Sequence, residues 1–416
     1  MPERIYGLLG RTLGHSWSVP IHAAAGNGAY RLIELEPRGL SEFLSRPDIG
    51  GLNVTIPYKR DVMPLCDVID PAAREIGSVN TIVRRDGKLH AWNTDIIGFL
   101  YMASLAGVDM KGRKVIILGG GGTSLTAQAA ARTAGASEIA VITRSGPDNY
   151  ENLSRHADGE IVVNTTPVGM YPNNGEAAVD LTRFPACRGV LDVLYNPRRT
   201  ALLLQAEALG LLCSDGLPML VAQAIAAEEL FFNRRIAPAE TRRILTLLRQ
   251  KMENIVLIGM PGCGKSTVGV ALAELTGRDA VDLDAEIVKT AGKSIPAIFA
   301  EDGESAFRAL EQNAAARFGA ESGKIIICGG GIVKDAENYR LLHQNGRIYQ
   351  LDRAIEKLPS AGRPLSQGAD LAAMAAERAP LYRRFRDVLI DNNGSAAGSA
   401  AAIWRDFCAD SDSQRT

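Results

Sequence analysis

No apolar run in this chain reaches the ~20 residues that a membrane-spanning helix needs. The longest, near Ile325–Cys328 and Val115–Leu118, are strand-sized. The N-terminus carries Glu3 and Arg4 with no apolar signal core, so a cytoplasmic protein with no membrane association is expected. Cysteine occurs at positions 66, 187, 213, 263, 328 and 408, but never as C-x-x-C and never at metal-ligand spacing. These thiols read as core or incidental residues, Cys263 included. An excess of one charge sign is missing too: 46 Lys+Arg against 47 Asp+Glu leave a formal net charge of -1. That balance gives no reason to expect a nucleic-acid surface or an anionic-membrane partner, and no obligatory protein partner is implied.

What is present is an ordinary globular mixture, 46% apolar and 22% charged, over 416 residues. One hydrophobic core usually stops growing below that length, so two or three domains are expected. Ile5–Leu9 and Gly51–Thr55 read as strands, and Val79–Val83 with Lys88–Ala91 as a hairpin across Arg85–Gly87. Asp95–Ala106 reads as a helix. Strands at Lys114–Leu118, Glu138–Ile142, Glu160–Asn164 and Gly189–Asp192 then alternate with helical stretches, the pattern of a parallel sheet covered by helices. Residues 236–252 have little glycine or serine and read as a junction with a short helix. The strand–loop–helix pattern restarts at Glu253. The stretch after Asn393 reads as a tail with one short helical segment near Ala400–Phe407 and mobile last residues.

Two phosphate-type glycine loops stand far apart. The first, Gly119-Gly120-Gly121-Gly122, follows the strand ending at Leu118 and opens a helix. Glycines there allow a tight turn and close backbone approach, and the helix start presents free N–H groups to a pyrophosphate. The next strand runs into Thr143 and Arg144 with no acidic residue to bind a ribose hydroxyl, which favours the 2′-phosphate of NADP(H) over NAD. Upstream, Lys59 lies beyond a strand and a proline turn, Asp95 sits at a helix entrance, and Asn80-Thr81 add polar groups. A lysine paired with an aspartate can exchange a proton with a carbonyl oxygen while hydride arrives from the other side.

Several separated motifs resemble shikimate dehydrogenase from the N-terminus to about Asn233. They are His15-Ser-Trp-Ser18, Asn53 to Lys59, Ser78-Val-Asn-Thr81, Asn93-Thr-Asp95, Asn164 to Met170, Asp192 to Pro197 and Gly216 to Gln223. The resemblance implies reduction of 3-dehydroshikimate with NADPH. It makes Lys59 and Asp95 the catalytic pair and gives the substrate carboxylate to Ser16 and Ser18. Ring hydroxyls fall to Thr55, Asn80, Asp95 and Gln223 with Tyr195 close by, and Thr165 to Met170 line the nicotinamide side. The chain departs from the family pattern with Val19 after the second serine, Ala23 after His22, Leu125 and Thr126 in the cofactor loop, and Thr143 before Arg144.

The second loop, Gly259-Met260-Pro261-Gly262-Cys263-Gly264-Lys265-Ser266-Thr267, satisfies the phosphate-loop pattern between a strand and a helix. Backbone N–H groups would cradle phosphates, Lys265 neutralise them, and Ser266 reach Mg2+. Val281–Asp284 reads as the end of a strand with Asp282 and Asp284 on one side, one for the magnesium shell and one for a substrate hydroxyl. Arg308, Arg363 and Arg378 in separate segments suit an anionic substrate and the charge developed in transfer. Gly329-Gly330-Gly331 after a buried strand allows close backbone approach to a small ligand.

Residues from about Asn254 to Asn393 resemble shikimate kinase, a phosphate-loop fold with a parallel sheet and a mobile lid. By that likeness Asp284 grips the acceptor hydroxyls, Arg308 and Arg378 hold the carboxylate, Gly329 to Gly331 line the substrate site, Asp282 and Ser266 serve magnesium, and Arg363 closes on the transferring phosphate. Leu358-Pro359 stands where an arginine often stacks on adenine. The layout implied is α/β throughout. A substrate-binding domain spans 1–100 and is completed by helices near 210–235. A Rossmann-like NADP domain follows at 101–209, a junction at 236–252, a P-loop kinase domain at 253–393 and a tail at 394–416. Shikimate would be the product of one half and the substrate of the other. A quinate-type dehydrogenase fused to a nucleotide-binding regulatory module is the alternative.

Overall fold

The computed structural model describes residues 4–14, 16–358 and 371–413, so His15 and Arg363 lie outside the described residues. The chain divides into two units, Met1–Tyr195 with Thr200–Leu248, and Asn196–Arg199 with Arg249–Thr416.

The first unit holds two sheets. Strands β1 (Ile5–Gly10), β2 (Tyr30–Glu34), β3 (Ile49–Val54), β4 (Val68–Ile69), β5 (Thr81–Arg85) and β6 (Lys88–Trp92) form a mixed sheet ordered β2-β1-β3-β5-β6-β4. Leu9, Leu52, Tyr58 and Ile82 fill the core on one face. The hairpin turns at Asp86 and Gly87, both at positive φ, and pairs Arg85 with Lys88. Its first strand begins at Thr81 rather than Val79. Val79 instead donates its N–H to the Lys59 carbonyl at 2.9 Å, which turns Ser78–Asn80 toward the polar cluster described below.

Strands β7 (Lys114–Leu118), β8 (Glu138–Ile142), β9 (Ile161–Asn164), β10 (Gly189–Asp192) and β11 (Leu212–Ser214) form an all-parallel sheet ordered β11-β10-β9-β7-β8. Alternate residues of β7 enter different cores: Val115 and Ile117 pack on one face, Ile116 and Leu118 on the other. Both faces are covered, which is why the strand is apolar throughout. The edge strand β11 carries this sheet past residue 209, where the sequence reading ended the cofactor domain. The helix Leu217–Phe232 returns to the first sheet: a Cβ on Gly51 of β3 would stand 2.2 Å from Phe231 Cδ1.

In the second unit, β12 (Asn254–Ile258), β13 (Ala280–Asp282), β14 (Ile325–Ile327), β15 (Gly346–Asp352) and β16 (Val388–Asp391) form a parallel sheet ordered β13-β14-β12-β15-β16. Ile255 and Leu257 face one core, Val256 and Ile258 the other. The strand order reverses at β12, and ligand sites in open parallel sheets lie beyond the carboxyl ends at such a point.

Three sequence expectations are corrected here. The junction is a continuous helix, Pro238–Met252, with Ile244, Leu245 and Leu248 buried. The region read as a tail is the helix Ala396–Ser413, whose Ala400, Ile403 and Phe407 recur at helical spacing and sit in the core against Val268 and Leu272. Small residues hid that apolar stripe. Finally, Asp284 is not on a strand: β13 stops at Asp282, which caps the helix Leu283–Ala291, so the two acids do not share a strand face. Among the described residues no helix is long and apolar enough to cross a membrane.

Candidate active sites

In the first unit the segment after β3 turns back over the sheet edge. Tyr58 is fully buried and donates its hydroxyl to the Leu35 carbonyl, which fixes the backbone that presents Lys59. Lys59 Nζ lies 2.6 Å from Asp95 Oδ2. Asp95 opens the helix Asp95–Leu105, where a carboxylate is favoured by the unpaired N–H groups, and its own N–H donates to Asn93 Oδ1 at 3.1 Å. Asn80 Nδ2 donates to Asp95 Oδ1 at 2.8 Å and reaches Gln223 Oε1 at 3.4 Å. Lys59, Asn80, Asp95 and Gln223 therefore converge from four separated segments.

A glycine makes the last of these contacts possible. A Cβ on Gly98 would lie 2.4 Å from the Met219 carbonyl oxygen and 3.0 Å from Gln223 Cβ, so the helices Asp95–Leu105 and Leu217–Phe232 touch backbone to backbone there. Thr55 follows β3 and donates its N–H to the Leu9 carbonyl at 2.9 Å. Ser18 is buried and its N–H donates to Ser16 Oγ at 3.2 Å. No hydrogen bond among the described residues links either serine to the Lys59–Asp95 pair. Tyr195, after β10, is half-buried, and burial raises its phenol above the ordinary value.

The glycine loop lies at the carboxyl ends of β7, β8 and β9. Gly119 has φ +105°, and a Cβ on it would meet Thr165 Oγ1 at 2.9 Å; one on Gly120 would meet Thr143 Cγ2 at 3.0 Å. Gly121 and Gly122 face open space, with nothing within 4 Å of a Cβ. Gly122 begins a 12-residue helix that has no side-chain cap, so its first N–H groups are available to an anion. Arg144 is exposed just past β8, and Met170 is 44% exposed beyond β9. These features fit a dinucleotide. A separate cavity of about 590 Å³, lined by Arg85, Trp92, Ile97 and Arg234, includes neither Lys59 nor Asp95.

In the second unit Gly262, Gly264 to Thr267, Asp282, Asp284, Arg308, Gly329 to Gly331 and Arg378 line one cavity of about 830 Å³. Gly259, Gly262 and Gly264 have φ of +146°, +85° and +98°. A Cβ on Gly259 would also stand 2.6 Å from the Leu351 carbonyl oxygen, so this turn requires glycine. Lys265 begins the helix Lys265–Thr276 and donates to the carbonyls of Gly259 at 2.9 Å and Met260 at 3.1 Å. Thr267 follows in its first turn and lines the cavity. Ser266 Oγ lies 3.1 Å from Asp282 Oδ2, while Asp282 Oδ1 accepts the Asp284 N–H at 3.0 Å. Asp282 is thus both a helix cap and a partner of the serine.

The triple-glycine segment is shaped by the side chains it faces. A Cβ on Gly329 would come within 2.6 Å of Asp284 Oδ1, and one on Gly331 within 2.7 Å of Arg308 Nη1. Arg378 Nη1 and Tyr382 Oη both donate to the Gly330 carbonyl, at 3.0 and 2.7 Å. Arg308 is oriented by Glu311 at 2.7 Å and Glu304 at 3.1 Å. Burial raises the Glu311 carboxyl, an effect the Arg308 charge opposes.

Sequence reasoning missed Glu311, Arg353 and Lys357, all of which line this cavity. Arg353 Nη1 is 3.5 Å from the point a Gly264 Cβ would occupy, and its Nε is buried with no hydrogen-bond partner among the described residues. Glu311 had a readable signal, three residues past Arg308 on one helix face. Arg353 had none, because only the sheet order places the end of β15 beside the phosphate loop.

Two family models match: the shikimate dehydrogenase substrate binding domain over residues 8–82, and shikimate kinase over residues 261–408. The NADP(+) shikimate dehydrogenase of Clostridium perfringens is 35% identical over 267 residues, covering 59% of this chain and 98% of that protein. The solved chorismate mutase/shikimate 5-dehydrogenase fusion protein from Clostridium acetobutylicum is 36% identical, with TM-score 0.57, over 60% of this chain and 97% of that one. The shikimate 5-dehydrogenase of Thermus thermophilus, solved with NADP(H) and shikimate, is 28% identical, with TM-score 0.53, over 58% and 98%. With its N-terminal part matching such enzymes almost end to end, the chain belongs to the shikimate dehydrogenase family, and it carries a shikimate kinase family domain fused behind it.

Proposed function

We propose that the protein reduces 3-dehydroshikimate to shikimate with NADPH and phosphorylates shikimate to shikimate 3-phosphate with MgATP. The observation that carries the first step is the Lys59–Asp95 pair at 2.6 Å, backed by Asn80 and Gln223. When bound, NADPH supplies the hydride, with Gly119 to Gly122, Thr143, Arg144, Thr165 and Met170 as its holding residues. Lys59 donates a proton from Nζ to the ketone oxygen as the carbonyl carbon becomes a C–H, leaving the alcohol and a neutral amine that solvent reprotonates. Asp95 aligns the ammonium and, with Thr55, Asn80 and Gln223, binds the ring hydroxyls. Ser16 and Ser18 take the carboxylate, and Tyr195 closes the pocket.

Support for the second step is the cavity shared by the phosphate loop, Asp284 and the two arginines. The backbone from Gly259 through Thr267 holds the nucleotide phosphates and Lys265 neutralises them. Asp284 orients the acceptor hydroxyl and accepts its hydrogen bond, while Arg308 and Arg378 hold the substrate carboxylate. Ser266 and Asp282 are the protein's share of a magnesium shell. Among the described residues no group of three or more His, Cys, Asp or Glu could hold a metal. Mg2+ keeps waters and substrate phosphates as its other ligands. Arg363 is assigned to the lid on the family likeness alone.

The test is one assay of the purified chain with 3-dehydroshikimate, NADPH and MgATP that resolves both products. Lys59→Ala should slow reduction by about 10²–10⁴-fold. Near-normal turnover in that variant, preference for NADH, or preference for quinate would each overturn part of the proposal. Absence of any ATP-dependent product would make the second unit a nucleotide-binding module.

A further inference from the structure

A buried polar chain runs from the far edge of the first sheet to the catalytic carboxylate, and each link points the same way. Tyr30 Oη donates to Asn53 Oδ1 at 2.8 Å, and Asn53 Nδ2 donates to Thr81 Oγ1 at 3.2 Å. Thr81 Oγ1 donates to Asn80 Oδ1 at 3.0 Å, and Asn80 Nδ2 donates to Asp95 Oδ1 at 2.8 Å. Tyr30, Asn53, Asn80 and Thr81 are all at most 4% exposed, so water offers no substitute partners. The Thr94 main-chain N–H also donates to Asn80 Oδ1, at 2.7 Å, in the same sense as Thr81.

The remote end is anchored. The Tyr30 ring stacks on His22 with centroids 3.6 Å apart and planes 8° from parallel. His22 Nδ1 contacts Glu228 Oε1, which also accepts from Asn27 Nδ2 at 2.8 Å. His22 and Glu228 are 1% and 0% exposed, and the reaction does not use them. Glu228 lies on the same helix as Gln223.

We infer that Tyr30 is a positioning residue for hydride reduction, acting through Asn53, Thr81 and Asn80 to hold Asp95 in register with Lys59. The inference rests on Lys59 and Asp95 being the proton-transfer pair. A primary amide carries an acceptor on one side and donors on the other, so the partner of Asn53 Oδ1 decides what its Nδ2 meets. Without the Tyr30 hydroxyl, Asn53 can turn its oxygen toward Thr81. The Thr81 hydroxyl then donates backward, and Asn80 Oδ1 keeps only the Thr94 main-chain N–H at 2.7 Å and the Thr94 hydroxyl at 3.2 Å, so one of the three donors that hold its NH2 on Asp95 is lost.

The test uses the full chain and steady-state reduction of 3-dehydroshikimate. Tyr30→Phe keeps the stacking and removes only the hydroxyl; it should lower kcat about tenfold while the KM for NADPH stays within twofold. Thr81→Val should do the same, Thr81→Ser should restore the rate, and Tyr30→Phe with Thr81→Val should be no slower than the slower single variant. Multiplicative losses, no rescue by serine, or parental kcat in Tyr30→Phe would overturn the relay. If Tyr30→Phe folds poorly, the Thr81 pair decides alone. Lys59→Ala run beside them separates the two readings: normal turnover there sinks the catalytic pair, whereas an inactive Lys59→Ala with a normal Tyr30→Phe sinks only the relay.

Discussion

Single residues here do work that their neighbours in sequence do not announce. Arg353 is the clearest case in the second unit, since it brings a guanidinium beside Gly264 with no motif around it to signal the contact. Arg353→Ala should raise the KM for MgATP about tenfold and leave the KM for shikimate unchanged, a loss of one charge-assisted contact to phosphate. Equal effects on both constants would place Arg353 elsewhere in the mechanism. Asp192 makes a different prediction. It is fully buried, and burial pushes its carboxyl up from 3.8 to about 6, although Thr200 at 2.7 Å and Asn164 at 3.0 Å donate to it and oppose that rise. A raised folded-state value means the fold binds this proton more readily than the unfolded chain does. Its stabilising contribution is therefore complete below pH 3.8 and lost as pH rises through about 6. Denaturant titrations of the parent and Asp192→Asn should diverge across that window, with the variant lacking the decline. Parallel curves would place the ionisation elsewhere.

At the scale of elements, helix contacts decide where the chemistry sits. The helices Asp95–Leu105 and Leu217–Phe232 approach closely because residue 98 has no side chain. Gly98→Ala should cost about 1–3 kcal/mol by overpacking against the Met219 carbonyl. It should also raise the KM for 3-dehydroshikimate, because Gln223 moves with its helix. An unchanged melting temperature and KM would show that the contact relaxes freely. The sequence showed the alternation of strands and helices well, and the two glycine loops stood out as contiguous glycine-rich turns, with Gly119, Gly259, Gly262 and Gly264 at positive φ. It misplaced Asp284, since a capping aspartate ends β13 two residues early and starts a helix. It also read the helix Ala396–Ser413 as a tail with only a short helical segment near Ala400–Phe407, because alanine and serine mute the apolar stripe that packs on Val268 and Leu272.

On the scale of the whole molecule, each unit has its own sheet system, core and nucleotide loop. The two activities should therefore fail separately. Lys59→Ala should slow reduction by about 10²–10⁴-fold and keep phosphorylation of added shikimate, and Lys265→Ala should impair phosphorylation and keep reduction; loss of both activities in either variant would show that the units depend on each other. By itself the sequence determined which chemistry is available. Phosphate loops are written in contiguous residues, because glycine spacing and a following helix suffice to form them. The Lys59–Asp95 pair and the kinase arginines were legible as motifs. Only the tertiary structure decided which groups share a hydrogen bond. Residues 22, 30, 53, 80, 81, 95 and 228 meet through sheet register and helix return, and side-chain partners so far apart along the chain leave no local pattern to read.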